Sequence, residues 1–198
     1  MIAAYEPGDK RLDVSIGIAE GNYNTSNLFI YSAKKSIVNY SGPPPGKNSR
    51  PLYKKYLNPA SLPNNTDDDW PIYRYSDTLL MMAECLNEQG GPADALPDLN
   101  QARERAGLPD ITTTDQVDLR KIISHERPVE LAFENFRWFD LIRTGEAIPV
   151  MTAYGEKTKQ THSDLLPSSY HVTKERLLYP IPQPEIDLNP GLTQNPGY

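Results

Sequence analysis

Residues 72–91 read Ile-Tyr-Arg-Tyr-Ser-Asp-Thr-Leu-Leu-Met-Met-Ala-Glu-Cys-Leu-Asn-Glu-Gln-Gly-Gly. Ile72, Tyr75, Leu79, Met82, Ala83 and Leu86 recur at steps of three and four, the spacing of one face of an α-helix. Asp69, two residues before Pro71, offers a cap for its start, and Gly90-Gly91 supplies a left-handed stop. After Pro92 comes a second stripe, Ala95, Leu96, Leu99, Ala102 and Ala106, closed by Gly107-Leu108-Pro109. Pro97 falls inside that stripe, which predicts either a kink there or a helix that begins near it. Two antiparallel helices joined by a two- or three-residue turn make a helical hairpin.

Further along, Asp115 or the Thr112–Thr114 run caps a third helix that turns Leu119, Ile122 and Ile123 inward. Pro128 removes the hydrogen bond to the Ser124 carbonyl and predicts a bend. Past the bend, Leu131, Ala132, Phe136, Trp138, Phe139 and Ile142 fill a broad apolar arc of a helix that Gly145 ends. Glu130, Glu134 and Arg137 lie opposite, and Arg137, Asp140 and Arg143 alternate in sign at three-residue steps. Exposed pairs of this kind stabilise a helix by only about 0.2–0.5 kcal/mol each.

The flanks read differently. Of 19 prolines in 198 residues, five fall in residues 72–166 and fourteen in the rest. Proline interrupts helices and ladders alike, so a helical middle lies between irregular ends. This divides the chain into a loop-rich segment over 1–70, a helical core over 71–145, and a loop and extended tail over 146–198. Short strands are expected only around Leu12–Ile18 and Leu28–Tyr31.

Composition removes several function classes. The longest unbroken apolar run, Leu79 to Ala83, is five residues, against roughly twenty needed to span a bilayer. No basic-then-apolar segment follows Met1, so no secretion signal is expected within these residues. A net charge of −6 argues against a general nucleic-acid binder. The single cysteine, Cys85, excludes an internal disulfide and any cysteine-cluster metal site. Cys85 itself reads as a small buried hydrophobe on its helix.

No catalytic constellation stands out. His125, His162 and His171 occupy no metal spacing and pair with no nucleophile turn. Glu126, Glu130 and Glu134 are four apart with arginines interleaved, which reads as a structural ion network rather than the carboxylate pair of a glycosidase. Asp67-Asp68-Asp69 reads as a solvated helix entry, without the spaced ligands of a cation loop. The chain is therefore expected to be no enzyme and to need no metal or cofactor. Aromatics carry more information. Twelve tyrosines and two tryptophans include Tyr23, Tyr31, Tyr40, Tyr53, Tyr56 and Trp70 in the first seventy residues. Their apolar faces and polar tips suit sugars, whose C–H faces are rimmed by hydroxyls. Trp70, Tyr40 and Tyr53 are the candidate ligand contacts, against the plainer reading that such rings pack loops onto helices.

Several stretches together resemble the SusD/RagB family, surface glycan-binding lipoproteins of nutrient-uptake systems. They are Tyr73-Arg-Tyr-Ser-Asp-Thr-Leu-Leu-Met-Met-Ala-Glu84, Asn100-Gln-Ala-Arg-Glu-Arg-Ala-Gly-Leu108, Glu126-Arg127, Glu130-Leu-Ala-Phe-Glu134 and Arg137-Trp-Phe-Asp-Leu-Ile-Arg143. The ending adds Tyr179-Pro-Ile-Pro182 and Gln194-Asn-Pro-Gly-Tyr198, and Asp9-Lys-Arg11 and Lys54-Lys-Tyr56 resemble weaker motifs upstream. Order and spacing match the C-terminal portion of a family domain. The resemblance implies a mainly α, SusD-like fold with a tetratricopeptide-like helix pair and long irregular, proline-rich loops. It implies a non-catalytic glycan- or nutrient-binding component that works at the outer-membrane surface with a SusC-like TonB-dependent transporter. An N-terminal lipid anchor, absent from these residues, would be its only membrane attachment. Glu130, Glu134, Arg137, Trp138 and Asp140 are expected to be structural signature residues. The alternative is a helix-repeat module that docks on the transporter without binding glycan itself.

Overall fold

A computed structural model describes residues 2–56, 69 and 71–198. The chain forms two compact units, Met1–Asn135 and Phe136–Tyr198.

The first unit opens with a 3-10 turn and a short helix, α1 (Arg11–Ser15), then three strands: β1 (Ile16–Tyr23), β2 (Phe29–Ser36) and β3 (Asn48–Tyr53). The order is β2-β1-β3, with β1 antiparallel to both neighbours. A bulge between Glu20 and Gly21 lets Ala33 face Glu20 and Tyr31 face Gly21. Strands thus form near both stretches where short ones are expected. The first, however, starts at Ile16 because residues 11–15 coil into α1, and β3 carries no alternation that announces it. The central strand alternates Ile16, Ile18 and Glu20 with the small residues Gly17, Ala19 and Gly21, and at Gly21 a Cβ would lie 2.1 Å from the Ile30 carbonyl oxygen.

Three helices complete this unit: α2 (Tyr75–Glu88), α3 (Pro92–Ala106) and α4 (Gln116–Glu130). The α2–α3 hairpin forms as the sequence predicts. Gly90 turns it at φ +86°, and the Gly91 N–H bonds back to the Leu86 carbonyl at 2.9 Å. Gly107 ends α3 in the left-handed region at φ +79°, and Asp115 caps α4 by accepting from the Asp118 N–H at 2.8 Å. Leu80, Ala83, Ala95, Leu99, Ala102, Leu119 and Ile123 bury one another between the three helices. A second cluster, Tyr5, Ile16 and Val129 with Leu12, Ile37 and Phe133 against it, joins the sheet to the end of α4.

Details depart from expectation for identifiable reasons. Helix α2 starts at Tyr75, and its N-cap is Arg74, which has an extended backbone and makes no side-chain cap. Asp69 is no cap. The buried face of α2 runs through Leu79, Leu80 and Ala83, leaving Tyr75, Met82 and Cys85 exposed. Helix α3 starts at Pro92 and carries Pro97 in its interior. Helix α4 runs through Pro128 but stops at Glu130, and the predicted continuation is broken. Phe133 and Asn135 take positive φ of 67° and 64° there, a conformation that no continuing helix permits.

The second unit holds α5 (Arg137–Arg143), α6 (Ala147–Lys159), a 3-10 turn, and α7 (Gln183–Leu188). Leu141 and Asp140 are buried, Trp138 is half-buried, and Phe139, placed on the apolar arc by its spacing, is 62% exposed. In the α6 stretch, read as loop, thirteen residues coil. Gly155 permits this helix to meet Tyr170, whose Cβ would stand 2.7 Å from any Cβ there, and Tyr154 packs edge-on against the same ring at 5.2 Å.

Candidate functional site

The residues with most chemistry in them converge at the end of α4. Glu126 and Glu130 lie one turn apart on that helix, and Glu134 follows in the turn beyond it; all three are buried. A buried carboxylate requires a partner. Arg103 of α3 supplies one, donating from Nη1 to Glu126 Oε2 at 2.8 Å and to Glu6 Oε1 at 2.7 Å. Arg11 of α1 donates from its Nη1 to Glu126 Oε1 at 2.5 Å and Glu130 Oε2 at 3.0 Å, while Asp9 holds its other edge. Arg74 reaches Glu130 Oε1 at 2.6 Å and Glu134 Oε2 at 2.7 Å. Arg105 adds a bond to Glu130 at 2.5 Å, and Lys55 pairs with Glu134.

The same cations end the helix. The Glu130 carbonyl accepts from Arg74 Nη2 at 2.6 Å and Lys55 Nζ at 2.8 Å, and the Ala132 carbonyl accepts from Lys55 at 3.2 Å. Carbonyls captured by side chains from distant segments are unavailable to further helical turns. Burial disfavours the charged form of Glu130, but Arg74, Arg105 and Arg11 outweigh it and hold its carboxyl at about 2. Burial pulls the Lys55 ammonium below its ordinary value, against the attraction of Glu134. Every acid here faces a base at hydrogen-bonding distance. The arrangement has no free carboxylate to act as a general base, and its geometry locks segments together.

The chain ending is also a device of structure. Gln194 accepts from the Ile181 N–H at 2.8 Å and donates to its carbonyl at 2.9 Å. Asn195 donates to the Tyr179 carbonyl at 2.7 Å and the Tyr198 hydroxyl to that of Leu178 at 2.9 Å. Prolines deny this segment a ladder, and amide side chains replace it.

The predicted ligand contacts fall in different places. Trp70 lies outside the described residues. Tyr40 is half-buried, donates to Glu20 Oε1 at 3.0 Å, and borders a shallow hollow shared with Lys35, Val38 and Pro43. Tyr53 is 63% exposed, with its ring 5.9 Å from that of Phe133. Glu20 and Ile16, the partner of Tyr53 in the register, are four residues apart on β1, so about 13 Å separates the two tyrosines' rows. Tyr40 and Tyr53 thus belong to one sheet face but to opposite ends of it.

On the other face a tighter aromatic group forms. Tyr23 meets Phe29 edge-on at 5.5 Å, and the Arg50 guanidinium lies 5.1 Å and 5.5 Å from the two ring centres. Lys34 stands 5.8 Å over the Tyr31 ring. Phe29, Lys34 and Arg50 escape a reading of isolated aromatics, because strand pairing brings them together. The alternation of Phe29 and Tyr31 was the signal available.

Comparison with known proteins addresses the whole chain. The profile described as the SusD family (SusD_RagB) matches residues 1–198. The chain belongs to the SusD family. SusD-like protein P38 of Formosa agariphila is 31% identical over 164 residues, covering 78% of this chain and 30% of that protein. The starch-binding protein SusD of Bacteroides thetaiotaomicron is 30% identical over 146 residues, covering 74% of this chain and 24% of that protein. Among solved structures, a SusD homolog from B. thetaiotaomicron superposes with a TM-score of 0.69 at 28% identity, over 97% of this chain and 41% of that one. Surface glycan-binding protein A of the same organism gives 0.64 at 28%, over 100% and 40%. This SusD-family chain spans 24% to 31% of the length of these curated relatives. The mainly helical fold is that of the SusD superfamily. Most motifs behind the resemblance, from Asp9-Lys-Arg11 to Gln194-Asn195, are members of the ion network or the tail clasp.

Proposed function

We propose that this chain serves a non-catalytic, glycan-binding component of an outer-membrane nutrient-uptake system, exposed at the cell surface and partnered by a SusC-like TonB-dependent transporter. The observation that carries the reading is the SusD-family match over the whole chain, with relatives named for starch and surface-glycan binding. The ion network supports the non-catalytic part, since its carboxylates are each neutralised by arginine or lysine. Among the described residues no helix is long and apolar enough to cross a membrane. Tyr40 and Tyr53 are the proposed ring contacts, together with Trp70.

Affinity electrophoresis tests the reading. Gels cast with neutral and acidic polysaccharides are expected to retard the chain in at least one case. Free migration in every gel would overturn glycan binding. The second reading, a helix module that docks on the transporter without touching glycan, draws on one observation: Tyr75, Met81 and Met82 leave an apolar strip of α2 uncovered. Co-purification with the transporter from a strain whose chain no longer binds any glycan would favour it.

A further inference from the structure

The charges of this protein are segregated. Residues 21–66 contain Lys34, Lys35, Lys47, Arg50, Lys54 and Lys55 and neither Asp nor Glu, in a chain whose net charge is −6. The remaining residues therefore carry −12 between them. Across the helical core the molecule neutralises its arginines: each one between residues 74 and 127 has a carboxylate within 3.0 Å. In the sheet it does not. Among the described residues no carboxylate pairs with Lys34, Lys35, Lys47 or Arg50.

Register places two of these cations beside rings. Lys34 and Arg50 both pair with Ala19 from opposite sides, so one cross-strand row reads Lys34–Ala19–Arg50. The next row on that face holds Tyr31 opposite Gly21, and the one beyond it Phe29 opposite Tyr23. Adjacent strands are about 4.8 Å apart and rows about 6.7 Å apart, so the two cationic residues stand about 10 Å from each other, flanked by aromatic residues. The centre of this platform is low, because β1 contributes only Ala19 and Gly21. Tyr31 is 56% exposed, and Lys34 and Arg50 are exposed.

We propose that this face of the sheet binds an anionic polysaccharide, with uronate or sulfate groups pairing with Arg50 and Lys34 while sugar C–H faces stack on Tyr31 and Tyr23. The inference rests on the glycan-binding reading and adds to it a second contact face, opposite that of Tyr40 and Tyr53, with the class of ligand it takes. Guanidinium geometry suits carboxylate and sulfate oxygens, and a cation already poised over a ring loses little freedom on binding. A neutral chain would offer Lys34 and Arg50 hydroxyl hydrogen bonds without the charge-assisted pairing that a uronate or sulfate supplies.

The test is titration of the full chain with polygalacturonate, dextran sulfate and amylose, followed by affinity electrophoresis and calorimetry. Polygalacturonate or dextran sulfate is expected to bind at least tenfold more tightly than amylose, and the advantage is expected to shrink as NaCl rises from about 20 to about 500 mM. Lys34→Gln with Arg50→Gln is expected to remove at least tenfold of that affinity while the thermal midpoint falls by no more than a few degrees, since both side chains are exposed and give up only their ring contacts and the Arg50 bond to the Tyr23 hydroxyl. Tyr31→Ala is expected to weaken binding at least threefold with the charges intact. Binding of amylose without preference for an acidic chain would sink this inference and leave glycan binding standing; retention by no polysaccharide would sink both. Equal affinity for polyphosphate would overturn it by showing charge alone at work. Sedimentation with phosphatidylglycerol vesicles in place of polygalacturonate would reassign the face to a membrane and likewise overturn it.

Discussion

Glu130 shows what a single buried charge requires. Three guanidinium groups meet its two oxygens at 2.5–3.0 Å, and its backbone carbonyl caps the helix through Arg74 and Lys55. Glu130→Ala leaves those cations facing one another in a buried site, and the expected cost is about 3–5 kcal/mol by urea denaturation. The pH dependence has a definite sign. The folded carboxyl lies at about 2 against an ordinary 4.5, so its ionised form contributes about 3 kcal/mol that is complete above pH 4.5. That contribution is lost as pH falls through the window from 4.5 to about 2. Glu130→Gln is expected to flatten the stability profile in this window. A slope equal to wild type would show that other carboxylates carry the acid sensitivity.

At the scale of elements, β1 is the most constrained piece. A Cβ at Gly21 meets backbone, the Ile30 oxygen at 2.1 Å and the Tyr31 Cα at 2.7 Å, at the point where the bulge sits. A Cβ at Gly17 meets the Lys54 side chain at 2.7 Å, and a flexible stem moves aside. Gly21→Ala is therefore expected to cost more than about 2 kcal/mol, and Gly17→Ala less than about 1 kcal/mol, in paired thermal melts. In the helical hairpin, Leu80 is fully buried between α2, α3 and α4. Leu80→Ala is expected to cost about 2–5 kcal/mol through the cavity it leaves. In the tail, Gln194→Ala frees both backbone groups of Ile181. Its expected effect is faster proteolysis of residues 178–198, read by mass spectrometry, with the melting of the first unit unchanged.

For the whole molecule, charge segregation has a simple consequence. A chain of net charge −6 at pH 7 is expected to be held by an anion exchanger, and also by a sulfonate resin at low salt through residues 34–50. Flow-through on the sulfonate resin would mean that these cations do not face solvent together. The helical middle was legible in the residues themselves: i, i+3 and i+4 spacing, the glycines at 90 and 107, and the Asp115 cap all act within a few residues of where they stand. The family resemblance was legible for a related reason, since its motifs supply buried charges and turn residues that the fold must have at fixed places. Three things were decided only by tertiary structure. Helix α4 stops at Glu130 because Arg74 and Lys55, 56 and 75 residues away, occupy its terminal carbonyls. The carboxylates at 126, 130 and 134 draw their partners from distant segments around residues 11, 55, 74 and 103 rather than from neighbouring turns. Tyr31, Lys34 and Arg50 share a face because strand pairing sets which residues stand opposite. Local periodicity is a property of a few consecutive residues, so the sequence determined it alone; a partner for a charge or a ring is chosen by which distant segments meet, and that choice is made only when the chain closes on itself.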